Sequence, residues 1–146
     1  MTDKTLVPSI AATSVMTLFS YWSSKLEEKN FSEPELLSHI EKKALPQKLA
    51  LPAGWVTHYA IGILMTLLFN FMWPELNTRA TFRRGLISGS IGGFIAIASW
   101  KVLFSALPSR SRSYYRKFYT QLFIAHLIFG LIGTLTQTIS SKKHKL

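Results

Sequence analysis

Four stretches of this chain carry almost no charge: Thr5 to Ser24, Leu49 to Pro74, Gly85 to Leu107 and Phe118 to Ser141, with Lys101 the one exception. A helix rises about 1.5 Å per residue and a bilayer's hydrocarbon layer is about 30 Å thick, so roughly 20 apolar residues make one crossing. The pattern predicts an all-α protein, a membrane four-helix bundle in one integral domain, with spans at about 5–24, 53–73, 85–107 and 118–140. Their ends are marked. Pro8 lies in the opening turn of the first span, where a missing amide costs little, and Tyr21 and Trp22 close it. Trp55 and Trp73 bracket the second, which Pro74 stops; Arg83 and Arg84 precede the third, Pro108 follows it, and Lys142, Lys143 and Lys145 follow the fourth. The first stretch is read as a span and not as a cleaved secretory signal, because Asp3 sits at its start and no small-x-small cleavage pattern follows it.

Between the first two spans the chain turns polar. Ser32 and Glu35 have capping-box spacing and Phe31 and Leu36 have staple spacing, which predicts a short amphipathic helix over about 32–45. Leu36, Leu37, Ile40 and Ala44 give it one apolar face, and Glu33 and Glu35 suit the positive end of its dipole. The expected place for such a helix is the membrane surface or the underside of the bundle.

Within the spans, small and polar residues recur at helical steps. Gly85, Gly89, Gly92, Ala96 and Ser99 form one stripe on the third, with Gly93 beside it; Tyr119, Phe123, His126, Gly130, Gly133 and Gln137 form one on the fourth. The first carries Ser9, Thr13, Thr17, Ser20 and Ser24, and the second a slanted row of His58, Gly62, Thr66 and Asn70. Lipid tails are as apolar as leucine, so helices in a bilayer associate through close packing and hydrogen bonds, and these stripes are expected to face one another. Gly85, Gly89 and Gly93 also repeat the small-xxx-small spacing, which would suit a homo-oligomer through the third span.

Chain direction puts His58 and His126 in the same half of the bundle, with Thr17 at similar depth and Tyr59 next in sequence. Two readings follow. Each imidazole can fix packing through a hydrogen bond across a helix interface, or the four residues can line a site for a small ligand, a metal, a haem or a proton path. A metal usually wants more than two ligands, so no cofactor is predicted outright. Lys101 points away from the glycine stripe, and its long stem can reach headgroups, while Trp100 reads as an interfacial aromatic. No carboxylate lies inside any span, and His39 and His144 fall in polar segments.

Composition narrows this further. Cysteine is absent, which excludes disulfides, thiolate metal sites and cysteine nucleophiles. The net charge of +10 raises the possibility of nucleic acid, but the seventeen basic residues flank apolar runs or sit in loops, where they meet lipid headgroups. Lys4, Arg79, Arg83 and Arg84 share one side with the basic tail, and the other side is similarly basic, so charge does not fix orientation. There is no phosphate loop, HExxH helix or serine elbow, so enzyme chemistry has no visible support.

Three local patterns carry a family resemblance: GWVTHYAIG from Gly54 to Gly62, AHLIFGLIG from Ala125 to Gly133, and ATSVMTLFSY in the first span. Over most of its length the chain resembles a family of small bacterial inner-membrane proteins known only as a domain of unknown function. The resemblance implies a four-helix membrane fold with an inward histidine on the second and fourth spans, and no activity. The charged linker and basic tail fall outside that pattern. Together these readings give a multi-pass inner-membrane protein acting as a helix-packing or assembly module, with the His58 and His126 site as the functional alternative.

Overall fold

The structure, a computed structural model, describes residues 3–73 and 81–143; Pro74, Arg79, His144 and Lys145 lie outside the described residues. All regular structure among them is helical: α1 (Asp3–Leu26), α2 (Glu33–Glu41), α3 (Gln47–Met72), α4 (Thr81–Leu103), a 3-10 turn (Phe104–Ala106) and α5 (Arg112–Lys143). Three segments, Gln47–Met72, Phe82–Ala106 and Arg112–Ile139, are long and apolar enough to cross a membrane. α1 has a comparable length of 24 residues, yet its hydroxyl side chains keep it out of that group.

Several boundaries differ from expectation for local reasons. α3 starts at Gln47, earlier than residue 53, because Pro46 occupies the N-cap and Pro52 falls early enough in the helix to be accommodated. α5 starts at Arg112 instead of 118, since the Ser111 hydroxyl accepts a hydrogen bond from the Tyr114 amide at 3.1 Å and caps a polar first turn.

α5 is the hub, packing along both α4 and α1; α1 also packs on α3, and α2 on α3. The α4–α5 crossing rests on glycines facing glycines. A Cβ added at Gly89 would meet the His126 carbonyl at 2.6 Å, and one added at Gly130 would meet the Gly89 amide at the same distance, so only hydrogen fits at either position. Gly85 faces Leu131 and Gly93 faces Phe123 in the same way. The stripe that suits a homo-oligomer is therefore covered by α5 of the same chain.

That stripe ends differently from its sequence reading. Ser99 is exposed, and Trp100 takes the inward place one turn after Ala96, so Trp100 is a core residue and no interfacial marker. It packs edge-on to Phe118 at 5.2 Å, in an aromatic cluster with Phe31, Phe104 and Tyr114 at the end of the molecule where α2 lies. Lys101 is exposed, as its helical phase requires.

α2 is shorter than 32–45 and packs one face against α3 at the end of the bundle. Glu33, Pro34, Leu36, Leu37 and Ser38 are buried, and Gly54 of α3 admits the α2 backbone, since any side chain there would strike the Pro34 carbonyl. The capping box does not form either. Ser32 makes no side-chain cap; its amide donates to Asn30 Oδ1, and Glu35 accepts from Asn30 Nδ2, both at 2.9 Å. Asn30 bonds both groups and has replaced the serine as organiser of the turn.

Candidate functional site

The hydroxyl row of α1 faces inward along its length. Ser9, Thr13, Thr17 and Ser20 are buried, while Val7, Ile10, Leu18 and Trp22 are each more than half exposed. From α3 and α5 the buried polar side chains are His58, Thr66, Gln121, His126, Thr134 and Gln137. Intrahelical bonds satisfy many of these hydroxyls: Thr17, Thr66 and Thr134 each donate to the carbonyl four residues earlier. Others tie helices together. Asn70 donates to Thr5 at 3.3 Å and accepts from Gln137, and Trp73 Nε1 donates to Ser88 Oγ at 2.9 Å.

His58 and Thr17 meet as the sequence suggests, with His58 Nε2 and Thr17 Oγ1 2.9 Å apart. The geometry assigns direction: the Thr17 hydroxyl donates to the Thr13 carbonyl at 2.7 Å, so its oxygen is left to accept from an Nε2–H. His126 Nδ1 lies 2.8 Å from the Leu122 carbonyl and donates to it. Those bonds use one nitrogen per ring and leave His58 Nδ1 and His126 Nε2 uncommitted. Tyr59 faces elsewhere. Its hydroxyl pairs with Ser14 at 2.9 Å, and its ring stacks on Trp55.

Both histidines line one cavity of about 330 Å³, set where α3 and α4 are barely in contact. Met65 of α3, Ile95 and Ser99 of α4, Met16 of α1, Phe129 of α5 and Gly62 are among its lining residues. Leu64 and Ile95 on its rim are exposed, so the cavity communicates with the apolar outer face. A volume of this order is at the lower end for small-molecule sites.

The sequence places no carboxylate in the spans, but the fold brings one to this interior from outside them. Glu33, in the first turn of α2, is 2% exposed and lines the cavity beside Leu37. Its Oε1 accepts from Ser20 Oγ at 3.0 Å, and Ser20 in turn accepts from Gln121 Nε2 at 2.5 Å. Glu33 Oε2 and Gln121 Oε1 have no hydrogen-bond partner. Burial pushes the Glu33 carboxyl up to about 7, with its own backbone amide and the Ser20 and Gln121 side chains opposing the shift. The only sequence sign of this was Gly54, the first residue of a recognised motif, whose missing side chain lets α2 dock.

Among the described residues no three His, Cys, Asp or Glu side chains converge to hold a metal ion. Outside the cavity, Lys117 pairs with Glu27, holding its carboxyl below the usual range, and Tyr114 Oη donates to the Asn30 carbonyl at 2.6 Å. These contacts moor the α1–α2 loop to α5. Compared with protein families, curated proteins and solved structures, the chain matches none.

Proposed function

We propose that this is a multi-pass membrane protein in which α1, α3, α4 and α5 all cross the bilayer as a four-helix bundle, acting as a helix-packing or assembly module. One observation carries the reading: the polarity of the fold is inverted. Histidines, glutamines and hydroxyls are inside, and Val56, Leu64, Phe71, Phe94 and Val102, among others, point outward, from 64 to 85% exposed. In water this arrangement loses twice, by exposing apolar area and by burying polar groups. In lipid the outward leucines and phenylalanines are solvated, and the inward hydrogen bonds fix helix register. α1 belongs with the other three because its hydroxyls are buried where it packs on α3 and α5, while Val7, Ile10, Val15 and Leu18 are exposed. The motif resemblance favours a bacterial inner membrane as the compartment.

Because the chain has no cysteine, single introduced thiols report topology cleanly. In right-side-out and inverted vesicles, thiols near the two termini should react with an impermeant maleimide from the same side, and Lys42→Cys and Ser109→Cys from the opposite one. Labelling of the two termini from opposite sides would mean three crossings and exclude α1 as a span. Release of the unmodified protein from membranes by alkaline carbonate would sink the membrane reading altogether.

A further inference from the structure

We propose that the cavity between α3 and α4 binds an amphiphilic organic cation, a protonated amine on an apolar body, with its ammonium group held by Glu33. Three independent observations converge. The cavity has room for a small organic body, and its walls are apolar apart from Glu33, His58, Ser99 and His126. At its α2 end lies a buried oxygen acceptor without a donor, Glu33 Oε2, on a carboxyl whose other oxygen is bonded to the Ser20 hydroxyl. No lysine or arginine lines it, although the chain carries seventeen.

An orphaned carboxylate oxygen in an apolar site is costly, and the partner that removes the cost is a hydrogen-bond donor of positive charge. An ammonium group supplies both. An anion would meet Glu33 with no counter-cation, and a purely apolar molecule would leave Glu33 Oε2 unpaired. The two imidazoles suit the same guest, since each is bonded through one nitrogen and has a second with which to accept from an amine. Leu64 and Ile95 at the rim make the outer apolar face the way in, so the route, though not the site, rests on the membrane reading. His58 on α3 and His126 on α5 share the cavity with the carboxyl, and Tyr114 on α5 is electrostatically coupled to it; none of the three is a fixed cation. Since burial lifts the Glu33 carboxyl to about 7, cation binding competes with protonation there and strengthens as pH rises through neutrality.

The test uses full-length protein in detergent, so it is independent of topology. Binding of 1-naphthylmethylamine and of its uncharged counterpart 1-naphthylmethanol is measured by calorimetry at pH 8 and pH 5.5. The amine should bind at least about tenfold more tightly than the alcohol at pH 8, a difference of about 1.4 kcal/mol, and should lose that preference at pH 5.5. Glu33→Gln should bind the two compounds equally. Ser99→Trp, which fills the rim and leaves Glu33 intact, should bind neither, and it serves as the decisive variant if Glu33→Gln fails to fold. Equal affinities in the unmodified protein, no binding of either compound, a preference that survives Glu33→Gln, or unchanged amine binding in Ser99→Trp would each overturn the proposal.

Discussion

Gly130→Ala should destabilise the protein by about 3 kcal/mol or more, whereas Gly133→Ala, one turn along the same stripe, should change stability by less than about 0.5 kcal/mol. The two differ only in what a methyl group would meet. At Gly130 it would collide with the Gly85 carbonyl and with the Gly89 backbone, its Cα at 2.7 Å, and backbone cannot swing aside as a side-chain tip can. At Gly133 the nearest atom is the Ala12 Cβ at 3.7 Å, an ordinary van der Waals distance. Accommodating the first methyl requires α4 and α5 to separate, which would also disturb the His126 backbone beside Gly89. Reversible unfolding in mixed micelles measures both variants, and a Gly130→Ala protein as stable as Gly133→Ala would show that α4 and α5 do not approach as closely as described.

A second large effect concerns pH. The Glu33 carboxyl titrates at about 7 in the folded chain against an ordinary value of 4.5, so between those limits the folded state binds more protons than the unfolded one. The contribution of this group to stability therefore falls as pH rises through this window, by about 3 kcal/mol in total, and is level above and below it. Glu33→Gln removes the ionisation and should flatten this part of the profile, while retaining an oxygen for the Ser20 hydroxyl. Unfolding free energies of both proteins followed from pH 4.5 to pH 8 isolate this contribution as a difference, from which the other titrating groups cancel; a difference that does not change with pH would contradict the burial of that group.

Much of the helical core was legible in the chain itself, since helical period turns spacing into facing. Ser9, Thr13 and Thr17 lie at steps of four, Gly85, Gly89 and Gly130 sit amid apolar runs, and all of them are buried as that phase demands. The Thr17–His58 pairing followed from depth along two adjacent helices. Glu33 was hidden for the opposite reason. It stands in a charged linker at the start of a short helix, where an acid ordinarily favours the helix dipole and stays in water. Only tertiary docking of α2 against Gly54 carries it into the interior, and no local pattern encodes that movement. Ser88 shares the phase of Gly85 and Gly92, but its role was not legible because its partner is Trp73 at the far end of α3, a contact made by topology. Trp100 misled by type, as tryptophan near the end of a span usually marks an interface, and here the aromatic cluster around Phe118 claims it.

The account stands on the apolar exterior, and α1 is where that exterior is least assured by composition. Spin labels attached one at a time at Val7, Ile10 and Leu18, in protein reconstituted into bilayers, measure directly what those positions touch. All three should collide readily with oxygen and hardly at all with a water-soluble nickel chelate, with the contrast greatest towards the middle of the helix. Strong quenching by the chelate at Ile10 would place α1 in water and refute the four-helix membrane core.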